Sequence, residues 1–588
     1  MSELVVLYGS ETGNARELAE YLYRECVYRE LNVRLSDMNS VSLQDLQSRT
    51  IALFVCSTTG DGEEPKNMRL FWRQLLSKHL TPQTFSGLNF SVLGLGDSSY
   101  AKFNYTAKRL YRRMEGLGGK PLYTLGLSDE QHPEGADYQS YVWMGELFQK
   151  LGNHLQKQLS RSYRMLPPRY NFTISQGEKG DEVDKIETDE EVSNEVSKEV
   201  SKEVSKEGTC SKDKPFSSVM RGIRRVTSEE HFQDVRLVEF DITGSGILYK
   251  PGDVVWIYPR NTNEDVMEAA SLLNLNLDST LEFTSAPPAP LPKSLTIRAL
   301  LKEYLDIASI PSRVFFEICT NFATDELEKE KFEDFISLLG REELYSYVSR
   351  PRRTILEVLG DFHSVRANLD MRYLLDFIPL IKPRGFSIAS AQCVDKDRLH
   401  ICMAVVRYRT IMKKERIGLC SNYLANLPLN SCVKLFAEPG SFKFPTDRPI
   451  IMIGPGTGCA PFRSLIQSRA KTSQQLILFY GCRSEHHDYF FRSEWDQITN
   501  LQVITAFSRD QERKIYVQHR IVEHSALVWG ALEQGAVFCV AGNSKNMPFQ
   551  VKDALIRVSS EQGKLSKSES EKYVESLVRN RLYQTETW

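Results

Sequence analysis

The chain has 588 residues, of which 41% are hydrophobic and 26% charged, with a formal net charge of −2. That balance is ordinary for a soluble globular protein and gives no global pull toward nucleic acid or anionic membranes. At roughly 150 residues per domain, the length implies three or four separate cores. No run of about 18 apolar residues predicts a transmembrane helix. Met1-Ser2-Glu3 leads straight into a predicted strand and leaves no room for a signal or transit peptide. The eleven cysteines form no C-x-x-C pair and no cluster at metal-ligand spacing, so they read as reduced structural thiols of a cytoplasmic protein. His486-His487-Asp488 reads as a polar loop, not a metal set.

In residues 1–155, short apolar runs at 4–8, 51–55 and 90–93 alternate with helical patterns at 16–28, 68–76 and 106–117. Such alternation predicts a doubly wound parallel sheet, with ligands at the carboxyl ends of its strands. Three loops fall at those ends. Ser10-Glu11-Thr12-Gly13-Asn14-Ala15 opens a helix with hydroxyls, a glycine and free amides, a nest for a terminal phosphate. It lacks the Lys of a nucleoside-triphosphate loop. Ser57-Thr58-Thr59-Gly60 follows the second run. Leu95-Gly96-Asp97-Ser98-Ser99-Tyr100 follows the third, with Ala101, Lys102, Phe103 and Asn104 behind it. A glycine-rich loop carrying an aromatic such as Tyr100 closes over a flat ring. These three motifs resemble those of flavodoxins and of the FMN domains of diflavin reductases. The resemblance implies that the first loop holds the FMN phosphate and that the second borders the ring. The third closes the site with Tyr100 stacked on it, and Asp129 and Glu130 add an acidic contact.

Residues 156–214 read as a flexible charged linker. Composition changes abruptly near 175, and 191–207 repeat Glu-Val-Ser-Lys with no aromatic. A helix with i,i+4 Glu/Lys pairs is the alternative. A tether sets an effective concentration without fixing geometry, which suits a domain that must visit two places.

Residues 215–447 read as a β-barrel. The run 235–240 alternates, and Pro251-Gly252-Asp253-Val254 leads into another strand, resembling the barrel opening of the ferredoxin-reductase family. A helical insertion is expected at about 264–375, ending at the basic cluster Arg350-Pro351-Arg352-Arg353. The strand then resumes with Arg384-Gly385-Phe386-Ser387: a cation for pyrophosphate, an aromatic face for a ring and a hydroxyl for a ring nitrogen. Gly418-Leu419-Cys420-Ser421 follows at a helix start. Together these resemble the FAD site of diflavin reductases, with Arg352 a further contact and Phe386 standing where Tyr is more frequent.

Residues 448–588 read as a Rossmann-like NADPH domain. The strand Ile450–Ile453 breaks into Gly454-Pro455-Gly456-Thr457-Gly458 and a helix near Ala460, so that backbone and helix dipole meet a pyrophosphate; Thr457 is expected to touch it. After the predicted strand at 503–507, Ser508 and Arg509 stand where an acidic ribose clamp would select NAD, with Lys514, Ile515, Tyr516, Val517 and Gln518 behind them. That pattern selects a 2′-phosphate and hence NADPH. By family resemblance, the C-terminal Trp588 stacks on the flavin and Glu586 is its nearby acid. Where many relatives that reduce microsomal cytochromes carry Cys-Gly-Asp, this chain has Ala541-Gly542-Asn543, so their catalytic cysteine is absent and Cys539 does not replace it.

The resemblance implies electron flow from NADPH to FAD to FMN and outward, with Ser387, Glu586 and Trp588 as the catalytic set. Phe386, Ala541-Gly542-Asn543 and the Gln584-Thr585-Glu586-Thr587-Trp588 end are most similar to the diflavin reductases of cytosolic iron–sulfur protein assembly. That likeness implies an anamorsin-type iron–sulfur protein as acceptor. A soluble reductase for a haem or cobalamin protein, or a flavin-bearing scaffold acting by binding, are the alternatives.

Overall fold

The computed structural model describes residues 4–59, 62–100, 102–133, 138–162, 165–175, 210–337, 340–412, 414–544 and 546–587. Gly60, Ala101 and Trp588, and the Glu-Val-Ser-Lys repeat at 191–207, lie outside the described residues. The chain forms two compact units.

The first comprises Met1–Arg169, Ile310–Arg353 and Asp361–Phe377. Its sheet contains β1 (Leu4–Gly9), β2 (Val33–Asp37), β3 (Ile51–Ser57), β4 (Asn89–Gly96), β5 (Lys120–Pro121) and β6 (Gly126–Asp129). The order is β2-β1-β3-β4-β5, with β6 also on β4, and every pairing is parallel. β1, β3 and β4 are buried along most of their length because helices cover both faces. The edge strand β2 has a polar, half-exposed sequence, Val-Arg-Leu-Ser-Asp, and carries no apolar run to announce it.

Most of the expected insertion packs into this first unit. Helix Arg313–Thr320 meets helix Asn14–Tyr28 through charge: Arg161 bridges Glu25 at 2.9 Å and Glu317 at 2.8 Å. Arg169 likewise pairs with Asp376 at 2.9 Å. Burial pushes the Glu317 carboxyl up to about 7 despite the Arg161 guanidinium beside it. A buried pair of this kind specifies a docking register more than it adds stability.

The second unit comprises Tyr170–Ser309, Thr354–Gly360 and Ile378–Trp588. It contains a three-stranded antiparallel sheet of β7 (Phe172–Ser175), β11 (Thr280–Phe283) and β12 (Ser294–Thr296). Here the structure differs from expectation on two counts. The insertion is not wholly helical, and the stretch expected to be linker contains the strand β7, whose Phe172 is buried edge-on against Phe283 at 5.8 Å. The barrel sheet runs β13 (Arg384–Ser387), β10 (Val254–Ile257), β17 (Cys432–Glu438), β8 (Phe216–Arg225), β9 (Val235–Asp241), β14 (Arg398–Ala404), all antiparallel, and a small hairpin joins β15 (Arg407–Arg409) to β16 (Glu415–Ile417).

The last sheet is parallel, in the order β20 (Leu501–Phe507), β19 (Leu476–Cys482), β18 (Ile450–Ile453), β21 (Val537–Gly542), β22 (Tyr583–Thr587). Chain order reverses at β18, so the glycine loop after it sits at the topological switch point. β22 is unexpected: Tyr583–Thr587 form a fifth strand, with Tyr583 stacked on Phe538 at 5.5 Å.

Candidate functional site

In the first unit, the loop after β1 reaches helix Asn14–Tyr28 through Gly13 at φ 104°, a backbone that favours glycine. Its Ser10 hydroxyl accepts the Gly13 N–H at 3.0 Å, and the Ser10 N–H donates to Asn67 at 2.7 Å. The Glu11 carboxylate accepts the Lys66 N–H at 2.8 Å, so it braces the loop from behind. No side chain caps the helix among the described residues, and Thr12 and Asn14 are exposed. The first-turn amides are therefore available to an anion. Ala15 is buried beneath them.

The second and third loops fold on each other. Thr58 donates to the Leu95 carbonyl at 3.1 Å, and the Thr106 N–H donates to the Thr58 hydroxyl at 3.3 Å. Thr59 exchanges both backbone hydrogen bonds with Glu63, and Ser57 ends β3 beside Leu95. The Asp97 carboxylate accepts the Ser99 N–H, and the Asp97 carbonyl accepts the Tyr100 N–H. The Ser99 hydroxyl is buried without a protein partner, which leaves it for a polar ligand atom. Tyr100 is 36% exposed.

Asp129 accepts the Ser98 N–H at 2.8 Å. Burial alone would raise its carboxyl, but these hydrogen bonds hold it below the usual range. Glu130 donates its N–H to Gly96, and its carboxyl is raised by burial and by Asp97. Arg352, read as an FAD contact, falls in this unit, where its charge acts on Glu130. Asn104 is fully buried at φ 52°, with its amide donating to the Ser128 carbonyl, so it packs the loop; Lys108 sits over the Phe103 ring. A Cβ on Gly96 would lie 2.9 Å from the Asn104 nitrogen, so this loop has no room for another residue.

In the second unit, β13 lies on β10 with Ser387 opposite Val254 and Gly385 opposite Trp256. Arg384 and Gly385 are exposed and Phe386 is half-buried. Arg384 approaches Asp306 at 3.8 Å, and burial raises the Asp306 carboxyl. Helix Leu419–Asn426 starts at Gly418 with no side-chain cap among the described residues, where a Cβ would strike the Val406 Cβ at 2.8 Å. Ser421 and Cys420 do not face outward: both are buried, the Ser421 hydroxyl accepts the Val406 N–H at 3.0 Å, and burial pushes the Cys420 thiol up to about 12.

The sharpest geometry lies where β22 meets β13. Ser387 donates its hydroxyl to Glu586 Oε1 at 3.1 Å, and Ser441 donates its own to Oε2 at 2.8 Å. Burial raises the Glu586 carboxyl, and these hydroxyls only partly offset that. Two residues earlier, the Gln584 amide accepts the Lys443 N–H at 2.7 Å and donates to the Lys443 carbonyl at 2.9 Å. Loop 441–443 is thus stitched to β22 at alternate residues, which aim both side chains one way.

After β18, Gly456 takes φ 55°, and a Cβ on Gly458 would lie 2.3 Å from the Ala541 carbonyl oxygen. Thr457 is half-buried on this turn, which precedes helix Ala460–Arg469. Arg509, Lys514 and Tyr516 are exposed beyond β20, whereas Ser508 is 8% exposed. Val517 is in the core with Ile515 packed against it, and Gln518 bonds Gln550 at 2.8 Å. Cys539 is fully buried, and burial raises its thiol far above the usual range.

Three glycine turns, each opening an uncapped helix, match three family models: a flavodoxin model over residues 6–143, an FAD binding domain over 209–423 and an oxidoreductase NAD-binding domain over 452–552. Similarity to curated relatives extends over the whole chain. NADPH-dependent diflavin oxidoreductase 1 of Danio rerio is 42% identical over 604 residues, covering 100% of this chain and 99% of the relative. The Mus musculus protein of that name is 42% identical over 608 residues, with 100% and 99% coverage. The Schizosaccharomyces pombe one is 36% identical over 607 residues, with full coverage of both.

The chain belongs to the NADPH-dependent diflavin oxidoreductase family.

As a diflavin oxidoreductase it binds FMN, FAD and NADPH and carries out NADPH-driven electron transfer. No described helix is long and apolar enough to cross a membrane. Sequence reasoning missed Asn67, Ser441 and Gln584. Asn67 and Ser441 are lone polar residues in turns, and only the alternation of Gln584 with Glu586 hinted at a strand.

Proposed function

We propose that the protein passes these electrons to an anamorsin-type iron–sulfur protein in cytosolic iron–sulfur cluster assembly, and that it works in the cytoplasm. In this reading residues 1–155 hold FMN, 156–214 are the tether, 215–447 hold FAD and 448–588 hold NADPH. What supports the acceptor is likeness: Phe386, Ala541-Gly542-Asn543 and the Gln584 to Trp588 end set this chain with the diflavin reductases of that pathway.

Bound flavins would supply hydride acceptance and one-electron release. The chain's own residues bind and orient. The loop at 10–15 holds the FMN phosphate, 57–60 border the ring, and 95–104 close over it with Tyr100 as the stacking face. Arg384 neutralises the FAD pyrophosphate, Phe386 offers a ring face, and Gly418 lets the backbone approach. Arg509 and Lys514 hold the 2′-phosphate of NADPH, and Thr457 the turn beside it. Ser387 presents its hydroxyl to the flavin ring, Glu586 fixes that hydroxyl's orientation, and Trp588 covers the ring until nicotinamide displaces it. The single observation that carries the catalytic part is the Ser387–Glu586 hydrogen bond at 3.1 Å, which joins residues 199 positions apart.

The test is reconstitution. NADPH oxidation by the holoprotein is coupled in turn to a purified anamorsin-type protein and to a microsomal cytochrome. Faster reduction of the iron–sulfur protein is expected. Preference for the cytochrome would overturn the acceptor, and failure of NADPH to bleach the bound flavin would overturn the enzyme.

A further inference from the structure

The nucleotide loops occupy the carboxyl ends of β18 to β21. At the opposite edge of that sheet is a cavity of about 500 Å³. Arg448 precedes β18, Arg581 precedes β22, and Arg469 ends the helix that starts at the nucleotide loop. All three reach this cavity, joined by Lys250 and Lys443. Dinucleotides bind at carboxyl ends in such sheets, so this is a different place.

Its charge is unbalanced. The one carboxylate on the wall, Asp253, is already used: its two oxygens accept the Lys250 N–H at 2.9 Å and the Gly440 N–H at 3.2 Å. Arg448 makes a single contact with exposed Asp447 at 3.4 Å. Among the described residues, Lys250, Lys443, Arg469 and Arg581 have no ion-pair partner. The Nε atoms of Arg448 and Arg469 are both buried without a hydrogen-bond acceptor. Like charges gathered in a concave, low-dielectric wall repel one another and raise the local concentration of anions.

The floor is apolar. Phe442 and Phe444, which stack at 5.3 Å and 26° apart, both line the cavity. Guanidinium forks match phosphate geometry, and a ring pair matches a planar body. The volume falls within the range of small-molecule sites, about 300–1,000 Å³.

We propose that this cavity binds an organic phosphate with a flat apolar body, of about mononucleotide size. The site is separate from the three cofactor sites. It adjoins the catalytic strand, because Gln584 on its wall holds the Lys443 backbone.

The experiment is isothermal titration of the flavin-loaded protein, with saturating NADP⁺ present to fill the dinucleotide site. The probes are 1-naphthyl phosphate and, separately, inorganic phosphate. One saturable site is expected for 1-naphthyl phosphate, bound at least about tenfold tighter than inorganic phosphate. Arg469→Ala and, independently, Arg448→Gln should each weaken it about tenfold, the scale of one charge-assisted contact. Phe444→Ala should bring its affinity toward that of inorganic phosphate. Unchanged flavin absorption and unfolding temperature verify that each variant is folded. Absence of saturable binding, binding abolished by NADP⁺, or equal affinity in wild type and both arginine variants would overturn the proposal.

Discussion

Ser441→Ala tests the reading of the catalytic strand most directly. The substitution removes the hydroxyl that donates to Glu586 Oε2 at 2.8 Å and leaves the Ser387 bond at 3.1 Å intact. A hydrogen bond to an ionised group contributes about 1.5–3 kcal/mol. Ser441 is itself exposed, so water competes and reduces the contribution to about 1–1.5 kcal/mol, at or below the foot of that range. That difference predicts a roughly five- to tenfold slower bleaching of flavin by NADPH at neutral pH.

The sign of the pH effect is also fixed. The Glu586 carboxyl is already raised, chiefly by burial, and the Ser441 hydroxyl works against that rise. Removing the hydroxyl raises it further. The carboxylate then persists only at higher pH, so the acid limb of the rate profile should move upward. Ser441→Thr, which keeps the hydroxyl, should restore both rate and limb. The assay is anaerobic stopped-flow reduction at saturating NADPH across pH. A wild-type rate with an unmoved acid limb in Ser441→Ala would refute the positioning role, as would a loss confined to KM.

Arg509→Ala and Lys514→Ala should each raise the KM for NADPH about tenfold and leave that for NADH unchanged, as steady-state rates with both nucleotides would show. Gly458→Ala places a Cβ 2.3 Å from the Ala541 carbonyl oxygen, and should lose about 1–3 kcal/mol in denaturant unfolding. His400 is held neutral, its value lowered to about 4 by burial and by Arg463, which together outweigh the carboxylates of Glu494 and Asp395. The folded state therefore binds fewer protons than the unfolded one between pH 6.5 and about 4. Stability is lost as pH falls through that window, by up to about 3 kcal/mol. His400→Asn should flatten that acid loss in thermal unfolding, and an unchanged acid slope would remove His400 as its cause.

What could be read from sequence divides along a physical line. The glycine-rich loops proposed to hold flavin and nucleotide were legible because a phosphate needs glycine, small hydroxyls and free helix amides at a strand end, and that requirement is local in sequence. Ser10 to Ala15, Leu95 to Asn104 and Gly454 to Gly458 each carry it within a dozen residues. The elements that escaped prediction take their reason from elsewhere in the chain. β2 and β7 are short and half-polar, and each becomes a strand only because β1 or β11 offers it an edge. The same holds for the catalytic strand. Only the alternation of Gln584 with Glu586 hints at a strand in Tyr583–Thr587 before β21 stands beside it, and nothing in Ser441 marks a function until Glu586 arrives from 145 positions away. Cys420 and Ser421 show the converse, motif residues whose side chains are buried in packing. Ligand loops are thus specified by local backbone chemistry, whereas the groups that orient catalysis are specified by which strands pair.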